Sequence, residues 1–151
     1  MGKFFSSLAE EFDFVFIQGN RYQQMIDGVL NTLKITAGAL LVGIVIGIVV
    51  ASIRSSYDKN KEAMKRRGGI GYGILTVLNA ICKIYLTVIR GTPVVVQLMI
   101  SYFLIFKSAK NGVPIGIFAF GINSGAYVAE IFRGGIMSID NGQFEAGRSI
   151  G

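Results

Sequence analysis

GINSGAYVAEIFRGG, from Gly121 to Gly135, is the stretch from which the rest of the chain is read. It is apolar and punctuated by glycine, and within it Asn123, Tyr127 and Glu130 recur at i, i+4 and i+7, the spacing that brings side chains to one face of an α-helix. A carboxylate inside a segment otherwise fit for a bilayer is costly unless it faces a partner, a polar cavity or the headgroups, so Glu130 is the first candidate for a functional group. Two roles are open to it: a charge turned inward, or a partner for Arg133 three residues on, near the helix end.

Composition agrees with a membrane setting. The 151 residues are 52% apolar, include 20 glycines and lack tryptophan, and the mean hydropathy is +0.55. Such a chain is too apolar and too glycine-rich for an ordinary soluble domain. Histidine is absent and Cys82 is the single cysteine, which excludes His-based acid and base catalysis, His or Cys metal clusters and a disulfide framework within the chain. Cys82 reads as a small apolar filler. The net charge of +6 does not indicate nucleic acid: six of the fifteen Lys and Arg lie between Arg54 and Arg67, beside apolar spans, where such bunching sets topology. No N-terminal signal peptide is visible, since residues 1–34 carry Glu10, Glu11, Asp13 and Asp27 against Lys3, Arg21 and Lys34, and the first long apolar run begins at Ile35.

Outward from the central stretch, the spans fall into place. Residues 1–27 mix Phe4, Phe5, Phe12, Phe14 and Phe16 with Glu10, Glu11 and Asp13, and read as an interfacial helix or a loosely ordered tail, with a turn at Gln18-Gly19-Asn20. Residues 35–53, ITAGALLVGIVIGIVVASI, form a charge-free run that spans about 28 Å as a helix, close to a bilayer core. Gly43, Gly47 and Ala51 give it a small-residue stripe for close helix approach. Residues 54–69 read as a basic loop on the cytoplasmic side, which puts the N-terminus outside. Residues 70–89 form a helix that breaks at Arg90-Gly91-Thr92-Pro93 and continues as the second crossing, about 89–106, because Pro93 disfavours helix at Thr92 and Gly91 permits unusual backbone angles. Lys107 to Gly112 form the outer turn, residues 114–132 the third crossing, and residues 133–151 return to the cytoplasm.

Three ordered stretches then resemble a known family. Arg90-Gly91-Thr92-Pro93 followed by Val94-Val95-Val96-Gln97-Leu98, the stretch Asn123 to Ile136, and Gly142 to Gly151 are together similar to the permease subunits of bacterial ATP-binding-cassette importers for polar amino acids, of the histidine, glutamine and arginine type. The resemblance covers roughly Gly28 to the end. It implies an all-α, polytopic helical bundle, the transmembrane domain of a type I importer, with three of an expected five transmembrane helices, as in a permease truncated at its C-terminus. The stretch at Glu145 resembles the opening of the cytoplasmic loop that engages the ATPase in such permeases. Glu145, Ala146 and Gly151 match the family pattern, while Gly147 stands where a second alanine is expected, at a cost in helix propensity of roughly 1 kcal/mol.

The resemblance implies a multi-pass protein of the bacterial cytoplasmic membrane that moves polar amino acids. Its implied partners are an ATPase subunit, an extracytoplasmic amino-acid-binding protein, and a second permease copy or paralogue. The sequence contains no GxxxxGK[ST] stretch, so ATP belongs to the partner ATPase; neither enzymatic activity nor a cofactor is expected of this chain. Asn123, Tyr127 and Glu130 are the candidates for the substrate path, with Glu130 as counter-charge to a cargo ammonium. Tyr127 as packing, Asn123 as a bridge between helices and Arg90 as a snorkelling base are the plainer roles for the same residues. A non-transporting membrane scaffold is the competing function; it leaves the three ordered stretches unexplained.

Overall fold

The computed structural model describes residue 7, residues 10–67 and residues 69–151. Lys3, Phe4 and Phe5 of the expected interfacial segment, and Gly68 of the expected basic loop, lie outside the described residues. Among the described residues every regular element is helical.

The N-terminal part is a helical turn at Asp13–Ile17 followed by a tight turn at Gln18–Asn20. Gly19 and Asn20 take left-handed backbone angles, φ 69 and 55, which glycine and asparagine tolerate best. The turn folds Arg21 back so that its guanidinium donates to the Phe14 carbonyl at 3.2 Å and lies 4.8 Å from the centre of the Phe14 ring.

Helix α1 then runs unbroken over Arg21–Arg67, 47 residues and about 70 Å long. That is roughly twice a bilayer core, so the charge-free run 35–53 is its middle and polar helix extends at both ends. The region from residue 54 expected as a loop is therefore helix as far as Arg67, and this corrects the reading from sequence. Its residues explain why: Lys59, Lys61, Glu62, Ala63, Met64, Lys65 and Arg66 are all good helix formers, and no glycine or proline interrupts until Gly68.

Helix α2, Ile70–Gly91, turns back along α1, and α3, Val94–Ile100, continues after the break through a wider turn at Ser101–Ile105. From sequence the second crossing falls at about 89–106. In the structure the helix long and apolar enough to cross a membrane is α2, 22 residues, whereas Val94–Ile105 is a shorter apolar piece. The reason is local: Pro93 ends the ladder so late in the segment that most of the span length lies before it.

Helix α4, Gly112–Met137, begins at Asn111, whose side chain accepts from the Val113 amide at 2.9 Å. It packs against α1 along nearly its whole length. The contacts keep the same direction in both helices: Gly116 meets Ile35, Gly121 meets Val42, Gly125 meets Ile46, Gly43 meets Ser124 and Gly47 meets Val128. The two helices are thus parallel, and each glycine of one receives a side chain of the other. The core where α2 joins this seam consists of Val50, Cys82, Leu86, Ala126 and Ala129, Ala126 being fully buried. Tyr85 closes it by donating to the Ile122 carbonyl at 2.6 Å. The last helix, α5, covers Asn141–Ile150 and is capped by Asp140, which accepts from Gly142 N at 2.8 Å; it packs against none of the other described helices.

Candidate functional site

Because α1 and α4 run parallel, the first charges beyond the apolar run of α1 fall level with the charged end of α4. Arg54 reaches Glu130 and, one turn further along each helix, Asp58 reaches Arg133. The Glu130 carboxylate is surrounded by guanidinium groups. Arg54 Nη1 donates to its Oε1 at 2.5 Å, Arg90 Nη1 stands 3.9 Å from the same oxygen, and Arg133 Nη2 is 3.5 Å from Oε2. Arg133 in turn donates to Asp58 Oδ2 at 2.9 Å. The i+3 pairing of Glu130 with Arg133 is present, but Arg54 from another helix is the closer partner.

These groups open onto a cleft of about 550 Å³ between α1, α2 and α4, lined by Arg54, Lys83, Thr87, Arg90, Tyr127 and Glu130 among others. Lys83, Thr87 and Arg90 are spaced i, i+4 and i+7, so the structure of α2 puts them on one stripe facing the cleft. The Arg90 guanidinium lies 5.6 Å from the centre of the Tyr127 ring, within range of a cation–π contact. Tyr127 and Glu130 thus share one site. Asn123, one turn earlier on α4, lines a separate cavity of about 510 Å³ with Thr32, Thr36 and Ser124, and its amide donates to Gln97 Oε1 at 3.2 Å.

Gln97 explains the Arg90-Gly91-Thr92-Pro93 stretch. In an unbroken helix the Ile89 carbonyl would accept from the amide of residue 93, but proline has no N–H to give. The Gln97 side-chain amide takes that place: Nε2 is 2.7 Å from Ile89 O, 3.0 Å from Thr92 O and 2.8 Å from Thr92 Oγ1. Thr92 Oγ1 itself donates to the Val88 carbonyl at 2.9 Å. In a bilayer no water is at hand for a carbonyl left open, so a glutamine four residues after the proline stabilises the break. Through Asn123 the same side chain ties α3 to α4. Gly91, Thr92 and Pro93 are exposed at this break.

Glu145, Ala146, Gly147 and Gly151 lie on α5 and its end, all exposed, away from the cleft. Arg54, Asp58, Lys83 and Thr87 were not singled out from sequence. For Lys83 and Thr87 a signal existed, their helical spacing with Arg90; for Arg54 and Asp58 none did, since their partners lie 76 and 75 residues away.

A glutamine transport system permease protein of Escherichia coli K12 is 36% identical over 132 residues, 84% of this chain and 52% of that protein. An L-cystine transport system permease protein of Bacillus subtilis is 31% identical over 126 residues, 82% of this chain and 47% of that protein. The chain spans about half the length of the curated relatives it matches. Among solved structures, the crystal structure of an amino acid ABC transporter with histidines aligns with a TM-score of 0.63 at 34% identity, covering 90% of this chain and 57% of that one. The family model described as "Binding-protein-dependent transport system inner membrane component" matches residues 69–151, more than half of the chain, and the chain belongs to that family.

Proposed function

We propose that this chain is the membrane-spanning permease component of an importer that passes polar amino acids through the cytoplasmic membrane, driven by a separate ATPase subunit. The observation that carries the reading is the cleft at Glu130: a cluster of charged side chains contributed by the three helices that are long and apolar enough to cross a membrane, in a member of that family. Charges set among membrane helices mark paths for polar cargo. The names of the relatives, glutamine and cystine permeases, support an amino acid as that cargo.

In this reading Tyr127 and Glu130 line the path, Asn123 acts through Gln97, and Arg90 reaches from the break into the cleft. The basic end of α1, the C-terminal end of α4 and α5 face the cytoplasm, and the N-terminus faces out, in keeping with the positive-inside rule. Helix α5, exposed and unattached to the bundle, is the element offered to the ATPase, with Glu145, Ala146, Gly147 and Gly151 in the contact. An extracytoplasmic binding protein delivers cargo from the other side, and a second permease copy or paralogue completes the path. Nucleotide is held by the ATPase and not by this chain.

The test is uptake together with topology. Cells lacking the gene should lose ATP-dependent uptake of at least one polar amino acid, and restoring it with Glu130→Gln should lower the rate by about tenfold, as expected for removing one charged group from a path. A cysteine placed by Ser149→Cys should cross-link to the ATPase subunit and resist an impermeant label added outside. Uptake indifferent to the gene, or labelling of position 149 from outside, overturns the proposal.

A further inference from the structure

We infer that the cleft selects its cargo by the carboxylate group, and therefore takes neutral or acidic amino acids in preference to basic ones; this rests on the permease reading above. Of the charged residues that line it, Arg54, Lys83 and Arg90 are cationic and Glu130 alone is anionic, a balance of three against one. Glu130 is not free to meet an incoming ammonium. Both its oxygens face guanidinium groups, with Arg54 at 2.5 Å and Arg133 at 3.5 Å. What remains open is positive. Arg90 stands 3.9 Å from Glu130, too far for a hydrogen bond; it lines the cleft and its side chain is 44% exposed. Lys83 has no ion pair among the described residues, and the buried Arg54 Nε donates to no acceptor there.

Position favours cargo over lipid as the source of the anion. Lys83 lines the cleft beside Arg54, the first charge beyond the apolar run of α1, whereas Arg90 stands two turns, about 10 Å, further along α2 and lies over Tyr127, whose neighbour Val128 meets Gly47 inside that run, a depth that headgroups at Lys83 do not reach. Thr87 lies between Lys83 and Arg90 on the same stripe, so a carboxylate held there meets two cations and a hydroxyl donor in one line. Glu130 then acts as a positioning residue that holds Arg54 and draws Arg90 over the Tyr127 ring. A cationic side chain on the cargo would instead meet like charges at short range, which disfavours it.

The test separates the two parts of a zwitterion. The transporter complex with its ATPase, purified into nanodiscs without the extracytoplasmic binding protein, is titrated with radiolabelled L-glutamine, chosen because relatives are named for it. N-acetyl-L-glutamine, which keeps the carboxylate and loses the ammonium, should compete, whereas L-glutamine amide and L-arginine should compete at least about tenfold less well. Arg90→Gln should raise the Kd by about tenfold, and Arg90→Lys should restore most of the affinity. The competition uses the unaltered protein, so it stands even if a variant does not fold.

The inference is overturned if the amide or arginine competes as well as glutamine. It is equally overturned if adding phosphatidylglycerol to neutral nanodiscs displaces glutamine in the wild type but not in Arg90→Gln, because the cations then serve lipid. ATP-driven uptake of any amino acid by the complete system, read in parallel, tells the two readings apart. Uptake without carboxylate dependence removes only the selectivity, and absence of all uptake removes the permease reading with it.

Discussion

The glycines of the α1 and α4 seam and those on the open faces of α2 and α4 are the same residue in opposite service. At Gly43, Gly47, Gly121 and Gly125 a side chain from the facing helix occupies the space where a Cβ would stand; at Gly121 it is Val42 Cγ1, 2.7 Å away, and at Gly125 Ile46 and the Tyr85 hydroxyl converge. At Gly73, Gly91, Gly134 and Gly135 nothing lies within 4 Å. Between membrane helices the hydrophobic effect gives no attraction, because lipid is as apolar as leucine, so close backbone approach and dispersion must hold the seam. The cleft side works the other way. There α2 meets α4 only at Cys82, Leu86, Ala126 and Ala129, and beyond that contact charges line the gap. The seam is a fixed partition, and the cleft is where a polar molecule and a change of shape are tolerated.

The largest effect expected from this contrast is at the seam. Gly47→Ile places a branched side chain against Val128 and the α4 backbone and should destabilise the protein by about 3 kcal/mol, read by denaturation in mixed detergent micelles. Gly134→Ala, on the open side, should be neutral or stabilising by up to about 1 kcal/mol, as for alanine in an exposed helix. Equal losses at the two sites would erase the distinction between the packed seam and the open helix faces.

How much of this was legible in sequence follows the range of the interactions. The apolar core of α1, the small-residue stripe and the break at Thr92-Pro93 are written in neighbouring residues, and the helices follow them. The polar end of α1 reads as loop in sequence because a charged helix with no apolar stripe carries no periodic signal, although its propensities favour helix. Asn111 and Asp140 carry a cap signal, being Asn and Asp just before helices, though a weaker one than the glycine and proline signals beside it. The site is a different matter. That Glu130 belongs to Arg54 and Arg133 to Asp58 depends on α1 and α4 lying parallel and in one register, and no local pattern encodes that register.

A middle-sized effect should appear at the break, where Gln97 stands in for the amide that Pro93 lacks. Gln97→Leu leaves the Ile89 carbonyl open and should cost about 2 kcal/mol. Gln97→Glu should not rescue it, since a carboxylate accepts and does not donate. Pro93→Ala should rescue it in part, because the new amide can reach Ile89 in a continued helix. A double-mutant cycle on positions 93 and 97 therefore should be far from additive, and additive losses would mean that Gln97 serves Asn123 alone.

The smallest effect belongs to the outermost pair. Asp58 and Arg133 join α1 to α4 as Arg54 and Glu130 do, and at 2.9 Å their geometry is good, but both side chains are more than a quarter exposed, as Glu130 is, whereas Arg54 is 14% exposed. Water and salt reach both members of the outer pair, so its attraction is screened, while Arg54 of the inner pair sits where an unpaired charge is costly. Asp58→Asn should therefore cost only about 0.5 kcal/mol and lose even that in high salt. Arg54→Gln, which strips Glu130 of its closest partner, should cost several times as much and keep most of the loss when salt is raised. If denaturation in low and high salt gave the reverse order, the charges would be graded by something other than depth, and the step from a tight seam to an open polar cleft would lie elsewhere along α4.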